Sequence, residues 1–316
     1  MRIAVFGSTG FVGQAATRRL HDAAGHVLSV TSPRLSTAAR EVSDLEKAAL
    51  AVDPSLTEDL SRDLTGVDAV VNCAGLARPT ASADDSLYGA NALLPVVLYR
   101  ASAAAGVSRF VHVSSAAVLG SGTLRDGWES SPTTPYGLSK ALGEQGLELV
   151  SRQDEQCGLR ILRPTSVHGP SRDVTRTLVR LARSSGATVA GDGSAPSPQV
   201  LVERVADMLH ALVVMEDVPR HPLVQPWDGV TAGSILEDLG DGSRPRSLPM
   251  PLARSLVTLG SRVPHAWVKG QTRRVEMLWF GQAHEDGWLT RRGLAEPLDH
   301  DAWRQTGQRA LEGGQR

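Results

Sequence analysis

Apolar runs with little polar alternation punctuate the first half of the chain, at Ile3–Phe6, Val27–Thr31, Ala48–Val52, Ala69–Cys73, Phe110–Ser114 and Leu159–Leu162. Strands that read this way, as in Asp68-Ala69-Val70-Val71, are buried on both faces, the condition of a parallel sheet. Between the runs lie segments of helical length, Phe11–Ala23, Asp84–Ala105 and Tyr136–Arg152. The alternation predicts an α/β fold, a doubly wound parallel sheet with helices on both faces. After Arg163-Pro164 the rhythm breaks. Gly186–Pro198, rich in Gly, Ser and Pro, reads as loop ahead of a helix from about Val202 to Met215. The rest, interrupted by Pro245, Pro249, Pro251 and Pro264, reads as short helical pieces. We expect a sheet domain over 1–165, to which 199–230 returns, and a smaller, mostly helical lobe from 166–198 and 231–316. The polar tail from Gly307 to Arg316 is expected to fray.

Composition narrows the partners. A formal net charge of -1 over 316 residues gives no global basic field for nucleic acid or an anionic membrane. Cys73 and Cys157, the 2 cysteines, do not make a disulfide framework and are expected as thiols in a reducing compartment. Met1-Arg2-Ile3-Ala4-Val5-Phe6-Gly7 runs straight into a glycine loop, without the parts of a signal peptide. Apolar stretches such as Ala211–Met215 fall far short of the roughly 20 residues that span a bilayer. A cytoplasmic protein with a small-molecule substrate is expected, with neither membrane nor nucleic-acid partner and no metal.

Gly7-Ser8-Thr9-Gly10-Phe11-Val12-Gly13 lies between an expected strand and an expected helix, where glycines let backbone approach a pyrophosphate and the helix amino terminus attracts its charge. Its spacing is GxxGxxG. An acid at the end of the second strand would select an NAD ribose; this chain has Thr31-Ser32-Pro33-Arg34 instead. Ser32 can donate to a 2′-phosphate and Arg34 can pair with it, which favours NADP with NAD possible; the plain reading is a solvated Arg34 and a turn at Ser32. Asn72-Cys73-Ala74-Gly75 follows the fourth expected strand, where small residues let the chain pass close to a cofactor. In Tyr136-Gly137-Leu138-Ser139-Lys140 a spacing of four sets phenol and ammonium on one helix face. The ammonium favours the phenolate, as proton exchange with an alcohol near neutral pH requires.

Taken in order, GSTGFVG, NCAG, HVSSAAVLG, PYGLSK and LRPTSVHGP make residues 1–211 resemble the extended short-chain dehydrogenase/reductase family, of NAD-dependent epimerase/dehydratase type. The resemblance implies a Rossmann-type cofactor domain and a carboxyl-terminal substrate lobe. It implies Tyr136 as general acid/base, Lys140 as its partner and a ribose contact, and Ser115 as a hydrogen-bond donor to the reacting oxygen. Ser114 competes with Ser115, though one residue earlier on a strand it faces the other way. Gly7, Thr9, Gly10, Phe11, Val12 and Gly13 map to the pyrophosphate loop. Asp53 maps to the acid that contacts adenine after the third strand. Ala74, Gly75, Asn91 and Pro164 map near ribose and nicotinamide, Asn91 having an alternative as a buried group that bridges backbone.

Leu119 and His168 stand where the family usually has tyrosines; His168 is either a substrate donor or structural. No arginine lies in Ser194–Gln199, where sugar epimerases often grip a diphosphate. Arg172, Arg176, Arg273 and Arg274 are the substitutes, or else solvated helix charges. Ala116-Ala117 after Ser115 lack the acids of a dehydratase. Five of the 6 tryptophans, Trp227, Trp267, Trp279, Trp288 and Trp303, read as packing residues, and Met277–Gln282 as lobe core or subunit contact. The reading is an NAD(P)-dependent ketoreductase for an NDP-keto-sugar or related ketone, active as a homodimer. An epimerase with tightly bound NAD and a non-catalytic dinucleotide-binding regulator are the alternatives.

Overall fold

The computed structural model describes residues 1–77, 82–154 and 156–312. The chain forms two compact units, 1–165 with 202–225 and 166–201 with 226–316. Unit 1 runs β1 (Arg2–Phe6), α1 (Phe11–Ala24), β2 (His26–Val30), α2 (Val42–Leu50), α3 (Pro54–Asp63), β3 (Ala69–Asn72), α4 (Asp85–Tyr88), α5 (Leu94–Ala104), β4 (Arg109–Val113), α6 (Pro135–Ser151) and β5 (Gly158–Arg163). Unit 2 begins with β6 (Ser166–His168), α7 (Asp173–Ala182), β7 (Thr188–Ala190) and β8 (Gln199–Leu201). The chain returns to unit 1 as α8 (Val202–Val214) and β9 (Leu223–Val224). It ends in unit 2 with α9 (Ala232–Leu239), β10 (Arg246–Leu248), α10 (Met250–Arg262), α11 (Ala266–Phe280), α12 (Trp288–Arg291) and α13 (His300–Glu312).

The sheet of unit 1 has the order β2-β1-β3-β4-β5-β9, every neighbour parallel. Its registers, Phe6 opposite Asn72 and Asn72 opposite His112, bring the carboxyl ends of β1, β3 and β4 to one edge, where ligands of such sheets bind. All four residues of β3 are buried, as the unalternating pattern requires. The core joins Phe6, Val70, Leu147 and Ile161 to an edge-on Tyr99–Phe110 pair with centroids 5.4 Å apart. Each such side chain contributes about 1.5–3 kcal/mol.

Two elements of unit 1 differ from the expectation. Ala48–Val52 is not a strand: Val42–Leu50 is helical, burying Leu45 and Ala49 four residues apart. Lys47 pairs with Asp44 on the open side. Five apolar residues set no period, and the Glu, Lys, Ala and Leu around them are strong helix formers. Ala69–Asn72 is therefore the third strand of the sheet and Arg109–Val113 the fourth. The helix expected over Asp84–Ala105 is interrupted by a π-turn, Gly89–Leu93. Pro95 has no N–H for the carbonyl of Asn91, so the regular ladder cannot pass; Leu94 N donates to Gly89 O instead.

Unit 2 holds two short parallel pairs, β6–β8 and β10–β7, and a core of Val179, Ile235, Leu236, Leu239 and Trp303. The segment expected as loop contains β7, because Trp279 Nε1 donates to Thr188 O at 3.0 Å and closes an apolar face over it. The tail is ordered further than expected, since Thr306, Gly307 and Ala310 are buried along α13; 313–316 lie outside the described residues. Among those described, no helix is long and apolar enough to cross a membrane.

Candidate functional site

At the end of β1, Gly7 adopts φ +73, and a Cβ there would stand 2.6 Å from Ala74 N. The loop turns back under itself, Gly10 N donating to Gly7 O at 2.9 Å, and a Cβ on Gly13 would stand 2.0 Å from Gly7 O. Only glycine fits these close approaches. Gln14 Nε2 donates to Thr9 O at 2.9 Å and braces the loop. Gly10 caps α1 with no capping side chain, and no acid lies in the first turn with Phe11 and Val12. The positive end of α1 is thereby kept for an anion.

The loop after β3 is built by Asn72, whose Oδ1 accepts from Ala74 N at 3.0 Å while its Nδ2 meets His112 Nδ1 at 3.1 Å. Burial holds His112 neutral, well below its ordinary pKa. Next in the loop, a Cβ on Gly75 would stand 2.8 Å from Asn91 Oδ1 and 3.2 Å from Lys140 Nζ. Asn91 is spent on structure: Oδ1 accepts from Leu76 N, and Nδ2 reaches Leu76 O and Ser139 Oγ at 3.1 and 3.0 Å. It bridges backbone, the plain alternative for this residue, and fixes the turn against Lys140.

α6 carries Tyr136 and Lys140. Thr134 Oγ1 caps it by accepting from Gly137 N at 3.1 Å. A Cβ on Gly137 would stand 2.6 Å from Ala117 O, so the helix start packs on the short 3₁₀ turn Ala116–Leu119 that follows Ser115. The first turn of α6, with partly buried Tyr136, thus lies beside the Ser115 segment. Ser115 is partly exposed, and its Oγ accepts from Ala117 N at 3.2 Å, which leaves its O–H to donate. Ser114 is buried, with no partner at Oγ. Pro164 is buried, its carbonyl accepting from Ala116 N at 2.8 Å. Leu119 lies in an apolar cluster with Val118, Leu124 and Val224.

Lys140 is buried, and its ammonium donates to Val113 O at 3.0 Å. Burial pulls its pKa down to about 8, against Glu144 and Cys73, which hold it up. Burial pushes the Cys73 thiol up to about 12. One turn further along α6, Glu144 accepts from Arg163 Nε and Nη2 at 3.0 and 2.6 Å, with side chains 3% and 0% exposed. Sequence reasoning missed this pair, although a charge ending the apolar run of β5 demands a buried partner and Glu144 stands four residues after Lys140 on the same face.

Elsewhere the placements diverge. Asp53 does not follow a strand, because the segment before it is helical; it caps α3 by accepting from Ser55 N at 3.0 Å, a bond that lowers its pKa. At the end of β2, Ser32 Oγ is buried without a partner. Arg34 is exposed. In unit 2, His168 is structural: Nε2 meets Ser166 Oγ at 3.0 Å, Nδ1 meets Thr175 Oγ1 at 3.1 Å, and burial lowers its pKa to about 3. Arg176 pairs with Asp173, and Arg273 and Arg274 stand exposed on α11. Unit 2 also has a cavity of about 420 Å³, lined among others by Thr231, Ser234, Asp238 and His300.

A model of the NAD dependent epimerase/dehydratase family matches residues 3–223, the whole span of the glycine loop, Ser115 and the Tyr136–Lys140 helix. The chain belongs to this family. Epimerase/dehydratase family members are enzymes of the extended short-chain dehydrogenase/reductase type. Among curated relatives, a UDP-glucose 4-epimerase of Neisseria gonorrhoeae is 26% identical over 267 residues, 75% of each chain. Another, of Vibrio cholerae, is 29% identical over 179 residues, 53% of this chain and 52% of that one. Among solved structures, a UDP-glucuronic acid 4-epimerase from Bacillus cereus in complex with NAD superposes with a TM-score of 0.63 at 16% identity, covering 99% of both chains. A dTDP-glucose 4,6-dehydratase from Streptomyces venezuelae with NAD bound reaches 0.66 at 22% identity, covering 99% of this chain and 97% of that one. These likenesses share the fold of this epimerase/dehydratase family member.

Proposed function

We propose that this chain reduces a ketone to a secondary alcohol with NADPH, on a nucleotide-linked keto-sugar or a similarly polar ketone. One observation carries the reading: an ammonium, Lys140, is buried on the Val113 carbonyl at 3.0 Å, one helical turn from Tyr136 and against the Gly75 turn. An isolated buried charge is costly, and here it is kept where it favours a phenolate. A dinucleotide fits the loop from Gly7 to Gly13, where side chains are excluded by backbone and the α1 terminus is uncapped. When bound, it supplies a hydride to the carbonyl carbon.

The chain's own groups handle the oxygen. Ser115 Oγ–H donates to the carbonyl oxygen and orients it, and Tyr136 transfers its phenolic proton as the alkoxide forms. Lys140 offsets the phenolate charge until solvent returns the proton. Preference for NADP(H) rests on Ser32 Oγ, buried without a partner, and on Arg34, which has the charge for a 2′-phosphate. Arg34→Ala is expected to cut the preference for NADPH over NADH by about tenfold or more, the loss of one charge-assisted pair, read by fluorescence titration of both cofactors. Equal preference in wild type and variant would remove the NADP assignment.

A second reading is epimerisation, favoured by two curated relatives that are UDP-glucose 4-epimerases. The same groups would then remove the proton of a sugar alcohol and return it. Incubating the enzyme with NADPH and keto-sugars separates the readings: stoichiometric loss of NADPH supports reduction, whereas a tightly retained dinucleotide with no net consumption supports epimerisation. Assembly as a homodimer through the long helices α5 and α6 completes the proposal, checked by light scattering.

A further inference from the structure

The carboxyl-terminal helices α10 and α11 form a hairpin whose two sides differ. One side packs inward: Ala253, Val257, Val275, Leu278, Trp279 and Phe280 join Ala190 of β7 in a single cluster. The other carries large apolar side chains into solvent. Leu252, Leu256, Leu259 and Val263 follow at spacings of four, three and four, one stripe along the helix, and Leu259 is 65% exposed. Met250 at the start of α10 and Met277 on α11 are exposed as well.

Charge around this stripe is predominantly positive, Glu276 being the one acid in the sequence of α10 and α11. Residues 242–275 contain no Asp or Glu, but hold Arg244, Arg246, Arg254, Arg262, Arg273 and Arg274, all exposed. Arg244 lies 3.7 Å from Glu237. Since the whole chain is at -1, the remainder is net acidic and the basic charge is concentrated here. A second copy fits this face poorly, because a two-fold contact centred on α10 would set arginines against arginines, with Glu276 the one acid of the two helices to pair them. Nucleic acid would use the arginines and leave the leucines in water. A surface with anionic headgroups above an apolar layer uses both.

We propose that the α10–α11 hairpin docks this protein on an anionic phospholipid surface, Leu252, Leu256, Leu259 and Val263 entering the acyl boundary while the arginines meet headgroup phosphates. The low overall charge that argued against a membrane partner averages over a chain in which residues 242–275 are basic without an acid and the remainder is net acidic.

Co-sedimentation of the full chain with vesicles tests it, comparing pure phosphatidylcholine with a phosphatidylcholine–phosphatidylglycerol mixture at low and high salt. Partition onto the mixed vesicles is expected to exceed that onto neutral ones by about tenfold or more and to fall as salt rises. The pair Leu256→Ser with Leu259→Ser, and separately the triple Arg262→Glu, Arg273→Glu and Arg274→Glu, should each lower it by about tenfold, with circular dichroism checking the fold. Leu259→Ser alone, at the most exposed position of the stripe, decides if either combination unfolds. Equal partition onto both vesicles, or none, overturns the proposal. So does a leucine variant that binds like wild type, which would reassign the face to a soluble polyanion, or self-association abolished by Leu259→Ser, which would reassign it to a second copy.

Discussion

Two regions bury a carboxylate beside basic side chains, and they do so under opposite terms. On the inner face of α6, Glu144 and Arg163 are sealed together, two hydrogen bonds at 3.0 and 2.6 Å, behind a lysine that is itself buried. In the corner of unit 2 formed by α9 and α13, Asp238 is 2% exposed, yet it is shared between His300 and Arg304 at 2.8 and 3.4 Å, both partly in solvent, and it borders the cavity. A sealed pair has no substitute when one member goes, whereas a carboxylate beside a cavity can hydrate. Burial against Asp238 outweighs its partners, and its pKa is raised.

The largest expected effect removes the charge that the sealed pair stands behind. Lys140→Met should lower kcat by roughly 10²- to 10⁴-fold with the fold intact, measured by steady-state kinetics once a substrate is found. Next, Glu144→Gln leaves Arg163 buried without its counter-charge and should cost about 3–5 kcal/mol in urea unfolding. Replacing both, Glu144→Gln with Arg163→Met, should recover much of that. Because Glu144 holds the Lys140 pKa up, the single variant should also move any Lys140-dependent limb of the pH–rate profile to lower pH. A profile that stays in place would separate the pair from Lys140 and make it packing alone.

Smaller effects come from unit 2. His168 has its pKa lowered from 6.5 to about 3 by burial, so the unfolded chain binds the proton first. Its contribution is whole above pH 6.5 and is lost as pH falls towards 3, about 2 kcal/mol between pH 7 and pH 5. His168→Leu should flatten that dependence in urea melts. Asp238 runs the other way. Its raised pKa means that stability is greatest below the unfolded value of 3.8 and declines as pH rises through the native one. Asp238→Asn should therefore change neutral-pH stability by less than ~1 kcal/mol. A loss as large as that of Glu144→Gln would erase the distinction between the two regions.

Local chemistry made much of unit 1 legible. Gly7, Gly10 and Gly13 declare a close backbone approach by spacing alone, and Tyr136 and Lys140 share a face because four residues make about one turn. Five apolar residues at Ala48–Val52 set no period, so the helix there was readable only from Leu45 and Ala49 taken with their neighbours. Misplacing that element also misplaced Asp53, whose expected place depended on a strand before it. The π-turn escaped because Pro95 reads equally as the first turn of a new helix. Glu144 and Arg163 lie 19 residues apart in sequence and meet only through the sheet. In unit 2, strands of 3 residues leave no pattern to find, and Asp238 acquires its partners from α13, far along the chain.

The return of the chain to unit 1 has a consequence for the order of manufacture. The glycine loop and α1 leave the ribosome early in unit 1, but the helix that packs on α1, α8, with Asp207 2.6 Å from Arg19, follows only after β6, α7, β7 and β8 of the other unit. During synthesis the nucleotide loop is thus finished in sequence long before its helix is covered, and an exposed apolar flank must wait through that interval. A nascent chain stalled before residue 202 is the form on which a chaperone, or a bound dinucleotide, would have most effect.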